Sequence, residues 1–233
     1  MDFGPPFAWR PHWKVYRFTR VEYLMIQRMA DDAFWTANVS DPPRFATAIR
    51  RFDEENARDP NKENVAGTAQ PRELLYAQRL SEWVMRLEPN ASEELRLAAR
   101  SQHICRWTVP RDSYEMTRAG YLRWRSDLKT FHARKAGEIL RDVGYPPEII
   151  QRVQDLNLKK NFPKDPQCRV LEDALCLVFL QYQLADLASR TDEDKVVNAL
   201  QKSWKKMTPA AQAHALQLSY APREKELLDR ALG

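Results

Sequence analysis

Glycine is scarce, at 6 in 233 residues. So few flexible joints argue against a barrel or sandwich rich in glycine turns, and with 43% hydrophobic and 30% charged residues they point to an all-α fold. Cysteine is scarcer still. Cys105, Cys168 and Cys176 are odd in number and form no Cys-x-x-Cys pair, which argues against a disulfide framework or a thiolate zinc site and fits a reducing, cytoplasmic setting. No run approaches the roughly 18 apolar residues of a membrane span, so no membrane is expected as a partner. The first residues lack the apolar core of a secretory signal. No stretch alternates as a strand does, and no repeat period emerges.

A large charge excess is absent too: 37 Lys+Arg against 32 Asp+Glu leave +5, with the signs interleaved. That balance permits an anionic partner such as a nucleotide or RNA, and is equally ordinary for a soluble domain. The start of the chain differs. "MDFGPPFAWRPHWKVYRFTR" holds one acid in twenty residues and is rich in aromatics, proline and arginine. Residues 1–40 are read as a packing arm, or as an extension ahead of a start at Met29, in preference to a targeting segment, whose amphipathic pattern the prolines and tryptophans break. Residues 41–233 form one helical domain in this reading.

Within it, helix signals follow one another. Asp41 and two prolines precede Phe45, Ile49 and Phe52 at helical spacing. Leu74, Leu75, Ala77, Leu80, Val84 and Leu87 draw a second stripe, and Asn90 with Glu93 predicts a capping-box start for a third helix ending near His103. Residues 108–117 hold Pro110 and no periodicity, which predicts a loop. A long helix follows over 118–142, stopped by Gly144 and Pro146-Pro147, where a short helix begins. Asp165-Pro166 opens the most apolar helix, and further helices are expected behind "TDED", behind Thr208-Pro209 and over 224–232.

That apolar helix carries an anomaly. In "VLEDALCLVFL", residues 170–180, nine of eleven positions are apolar and the others are Glu172 and Asp173. Adjacent helical positions point about 100° apart, so both acids cannot escape into water while their neighbours fill a core. A buried carboxylate needs a partner: a metal ion, an arginine such as Arg100 or Arg106, or a histidine. Asp173 shares a face with Val170, Ala174 and Leu177 and is the first choice for the inward group.

Of four histidines, His12 lies in the arm and His214 in a late helix without acidic neighbours. His103 closes the third helix and His132 lies inside the long one, whose buried face runs through Leu128, Phe131, Ala136 and Ile139. Each alone reads as a core or boundary histidine. Together, ahead of an acid-bearing helix, they admit a metal site.

The order "ELLYAQRLSEWVMRLEPNASEELRLAARSQH", "FHARKAGEILRDVGYPPEIIQRV" and "LEDALCLVFL", over about residues 70–190, resembles the helical core of the His-Asp (HD) superfamily of metal-dependent phosphohydrolases and related di-iron oxygenases. More closely, "RAGYLRWRSDLKTFH" and "KSWKKMT" resemble a family known only as a domain of unknown function. The resemblance implies an HD-domain-like helical bundle with an N-terminal arm and C-terminal helices. By position, His103 matches the histidine of the His-Asp doublet, His132 an additional histidine of some members, and Asp173 the closing aspartate. Glu73 falls near the place of the first histidine, and Ile104 replaces the doublet's aspartate, which bridges two metals in the family. The resemblance therefore implies one divalent metal (Mn, Fe, Zn or Mg) on His103, His132 and Asp173, with Glu73 or Glu172 assisting catalysis, or an altered site with none.

Around the histidines stand Arg106, Arg111, Arg118, Arg123, Arg125, Lys159 and Lys160 with Trp107, Tyr121 and Trp124. Guanidinium forks bind phosphate and aromatic faces stack on bases, so this mixture suits a nucleotide or RNA; a solvated basic face over buried tryptophans is the plainer alternative. "QHIC" with "WKKMT" faintly echoes the ATP signatures of class I aminoacyl-tRNA synthetases, but that chemistry needs a parallel sheet and a glycine where Cys105 stands. The sequence thus predicts metal-assisted hydrolysis of a phosphorylated, nucleotide-like substrate, with a non-catalytic RNA- or nucleotide-binding helical module as the rival reading.

Overall fold

Proline and small polar caps set most helix starts in this chain. The computed structural model describes residue 36, residues 38–65 and residues 67–233. The arm reading, with His12 and Met29, falls almost wholly outside these residues. In α1 (Pro42–Asn56) the Asp41 carboxylate accepts from the Arg44 amide while two prolines fill the first positions, where no amide donor is missed. Phe45, Ala48 and Phe52 point into the core. A polar hairpin follows, β1 (Lys62–Val65) antiparallel to β2 (Thr68–Pro71), with Gly67 at φ +83° in its turn. It corrects the expectation of no strand. Each strand is four residues long and none of its residues is buried, so no alternating apolar pattern marked it.

α2 (Arg72–Leu87) buries Tyr76, Leu80, Trp83 and Val84. α3 (Glu93–Ser101) is capped by Ser92, whose hydroxyl accepts from the Leu95 amide, and this corrects the predicted start at Asn90. Glu93 does not turn back on its own helix: its carboxylate accepts from the Tyr145 hydroxyl at 2.6 Å. α4 (Arg118–Asp142) has the predicted bounds, capped by Thr117 and followed by Gly144 at φ +88°. α5 (Pro147–Leu158) lies along it. Their close approach depends on Gly137, where an added Cβ would fall 2.4 Å from Gln154 Nε2.

Asp165 caps α6 (Pro166–Val178), accepting from the amides of Gln167 and Cys168. The helix then widens through a π turn (Phe179–Gln183) into α7 (Leu184–Arg190). α8 (Glu193–Lys206), α9 (Pro209–Leu216) and α10 (Pro222–Leu232) complete the ten α-helices among the described residues. The fold is all-α. α2 packs on α3 and α6, α3 on α5, and α8 bridges α6 and α10. Leu80, Leu97, Ile104, Leu140, Leu156 and Leu171 are fully inaccessible at their centre. Burying six such side chains contributes on the order of 10 kcal/mol of gross hydrophobic free energy. No helix among the described residues is long and apolar enough to cross a membrane.

Candidate functional site

The helix α4 turns one continuous face toward a cleft. Tyr121, Trp124, Arg125, Leu128, Lys129 and His132 recur at three- and four-residue spacing, so a single stripe of the helix carries aromatic, cationic and imidazole groups together. Opposite stand the turn after α3, the end of α5, the cleft side of α6 and the last turns of α8, enclosing about 390 Å³. That is the scale of a small-molecule site.

Two residues with left-handed backbone shape the cleft, one beside its lining and one in it. Cys105, at φ 53°, ends the turn that presents Gln102 and His103, and its amide is held by the Asn56 side chain at 3.1 Å. Lys159, at φ 57°, terminates α5 and projects onto Glu172. Non-glycine residues in this region cost of order 1 kcal/mol or more and persist where the surroundings hold them.

Positive charge dominates the lining. Arg106, Arg125, Lys129, Lys159 and Lys206 face it, against one lining carboxylate, Glu172. Glu172 is 4% exposed and bonded to Lys159 and, at 3.0 Å, to Lys206. Burial pushes its carboxyl up, yet the two ammonium groups outweigh that and hold it below the ordinary glutamate value. Lys129 is the converse: burial lowers its pKa, and Lys159 and Arg125 lower it further, because the cations outnumber what Glu172 neutralises.

The imidazoles lie at the inner end. His103 stacks on Tyr76, ring centroids 4.2 Å apart and planes 9° from parallel, and its centroid is 5.7 Å from that of His132. His132 is 3% exposed, and its Nδ1 lies 2.8 Å from the carbonyl oxygen of Ile104. A carbonyl only accepts, so Nδ1 carries the proton and Nε2 presents a lone pair. That lone pair has no partner among the described residues. Burial lowers the His132 pKa to about 4, and burial, then Arg106 and His132, push that of His103 well below the histidine norm. Glu73 borders them, its Oε2 3.8 Å from His103 Nδ1 and its Oε1 3.9 Å from Arg106 Nε. Its carboxyl is raised to about 7, by burial above all.

Of the metal-ligand set read from the sequence, His103 and His132 come together and Asp173 does not join them. Both Asp173 oxygens accept from Thr208, the amide at 2.9 Å and the hydroxyl at 2.6 Å, and Asp173 is not part of the cleft lining. It caps α9. Among the described residues no three His, Cys, Asp or Glu side chains are placed to hold a metal ion, so the donor set present does not fit a three-ligand centre.

The predicted substrate-binding residues divide. Arg106, Trp124, Arg125 and Lys159 line the cleft. Arg111 is engaged with the carbonyls of Tyr114, Glu115 and Thr117; Arg123 borders a separate surface hollow beside Asp127; Lys160 pairs with Asp155. Of the two predicted catalytic acids, Glu172 lines the cleft and Glu73 lies just behind His103. Arg100 serves neither, being bound to Asp53 through two 2.7 Å bonds.

Sequence reasoning missed Lys129, Lys206 and Gln102. The spacing held Lys129, three positions before His132 and four after Arg125. Lys206 belongs to "WKKMT" and Gln102 to "QHIC", the two pieces that echo adenylating enzymes; the helical fold brings them into one cleft, and no parallel sheet accompanies them among the described residues.

A family model described as "Domain of unknown function (DUF4202)" matches residues 46–228, which include every residue lining the cleft. No curated protein and no solved structure matches the chain.

Proposed function

The chain belongs to the DUF4202 family, and from that premise we propose that its central cleft binds a phosphorylated, nucleotide-like small molecule. One observation carries this reading: among the described residues, five cationic side chains converge on about 390 Å³ that contains a single lining carboxylate. Crowding like charges costs free energy in the empty protein, and an anion entering the cleft relieves it. Phosphate is the anion best matched, because Arg106 and Arg125 offer forked donors and Lys129, Lys159 and Lys206 offer point charges at one locus. The exposed ring of Tyr121 on the same face supplies a stacking surface for a base. A cleft of this volume takes a mononucleotide, not a strand of RNA. The resemblance of residues 70–190 to the HD core supports a phosphorylated ligand over other anions.

Hydrolysis is the reactive form of the same reading. His103 and His132 are the acid-base groups at the cleft, with Glu73 behind His103. Isothermal titration of the whole chain with pyrophosphate and ADP tests the reading. Binding that weakens as salt rises, and that Arg125→Ala combined with Lys129→Ala removes, is the expected result. Absence of binding by both compounds at millimolar concentration overturns it.

A further inference from the structure

The inner end of the cleft has the opposite character from its mouth. Two residues of its lining carry deeply buried acceptors without a donor among the described residues: His132 Nε2, on a residue 3% exposed, and Gln102 Oε1, on a residue 4% exposed. His132 must donate from Nδ1 to the Ile104 carbonyl, and the Gln102 amide nitrogen is directed at the carbonyl oxygen of Asn157 at 3.5 Å, so both remaining atoms are acceptors. A further buried oxygen without a hydrogen-bond partner among the described residues, Glu73 Oε2, stands beside His103. Buried polar atoms are satisfied in the overwhelming majority of cases, and each exception calls for an explanation, of which a bound partner is one.

Unpaired acceptors gathered at the closed end of a cationic cleft describe the missing partner. It carries hydrogen-bond donors at one end and phosphate at the other. Resting on the phosphate-cleft reading above, we propose that His132 Nε2 and Gln102 Oε1 accept hydrogen bonds from the hydroxyl groups of the ligand's sugar, so that the cleft selects ribose phosphates over bare phosphates and over deoxyribose forms. The Ile104 carbonyl is a positioning group here: the left-handed Cys105, tied to Asn56, fixes the turn that aims it at His132. A ligand lacking the hydroxyl leaves a desolvated acceptor unpaired, which is where discrimination arises.

The test compares ADP, 2′-deoxy-ADP, 3′-deoxy-ADP and pyrophosphate by calorimetry on wild type and on Gln102→Met, and follows histidine ¹⁵N resonances of the wild type. The expected result has two parts. At least one deoxy form binds about tenfold more weakly than ADP, with the gap reduced in Gln102→Met. In addition, the His132 Nε2 resonance, at the unprotonated position in the free protein, moves upfield on saturation with ADP and stays in place with pyrophosphate. The NMR arm needs no substitution at the buried histidine. Equal affinities for ADP and both deoxy forms, or an Nε2 resonance that ADP does not move, overturn the proposal while leaving the phosphate cleft standing. Failure of pyrophosphate and ADP alike to bind removes the cleft reading itself and the proposal with it. A stoichiometric metal ion whose binding moves the Nε2 resonance also overturns the proposal, because that lone pair would belong to the cation.

Discussion

Glu172 and Asp173 are sequence neighbours, both 4% exposed, and they belong to regions built on opposite terms. At the junction of α6 with α9, Asp173 finds everything it needs inside the protein: the Thr208 amide and hydroxyl occupy its two oxygens and the start of α9 is fixed. In the cleft, Glu172 neutralises part of a cationic wall that exceeds it. One acid closes its surroundings and the other leaves a surplus. The lesson is that burial of a carboxylate says little about function until its partners are counted. Substitution should therefore act in opposite senses in the two regions, on stability at the junction and on ligand binding in the cleft.

The largest effect is expected at the junction. Asp173→Ala removes two hydrogen bonds to a charged group and leaves the Thr208 amide uncapped, which should lower unfolding stability by about 4 kcal/mol. Urea denaturation measures it. Pyrophosphate affinity of the folded fraction should stay at the wild-type value; a variant that is stable but no longer binds would move Asp173 into the site and erase the contrast.

The second prediction concerns the inner end, where two buried groups answer pH with opposite signs. Glu73 holds its proton up to about pH 7 in the folded chain, against an ordinary value of 4.5, so between those values the folded state carries more protons and stability falls as pH rises. His132 sheds its proton down to about pH 4 against 6.5 unfolded, so its contribution rises with pH over that window. The two slopes oppose each other between about pH 4.5 and 6.5. Glu73→Gln removes one of them. The difference in unfolding free energy between wild type and Glu73→Gln should shift by on the order of 3 kcal/mol from pH 4.5 to pH 7, against the wild type as pH rises. Denaturation at a series of pH values reads it, and a flat difference would mean that Glu73 ionises normally.

Much of the scaffold was legible because local chemistry decides it. Asp41, Asp165 and Thr208 each precede a proline and cap the helix that follows, and the interval between Thr117 and Gly144 gave α4 its bounds. The hairpin escaped because none of its residues is buried, and Ser92 displaced Asn90 because Glu93 is claimed by Tyr145. The site was legible only in part. His103, His132, Arg106, Trp124 and Arg125 were found through density and order along the chain, but density does not give direction: Arg111 turns back onto its own loop. The apolar stripe of α6 likewise ranked Asp173 above Glu172, since both faces of that helix are covered and only the long-range placement of Lys159 and Lys206 tells which one meets a cleft.

The smallest effect is the most discriminating, because at Lys129 the two signs separate. This lysine is partly buried and its charged form is disfavoured, by burial first and then by Lys159 and Arg125. Lys129→Met keeps the aliphatic length and discards the charge, so the empty protein loses repulsion while a bound phosphate loses one attraction. Pyrophosphate affinity should fall about tenfold, the loss of one charge-assisted bond. The melting temperature should hold or rise, by no more than the equivalent of about 1 kcal/mol. A melting temperature that drops together with affinity would make Lys129 an ordinary structural residue, and the cleft would then be a second closed junction like that of Asp173 instead of a surface strained toward a ligand.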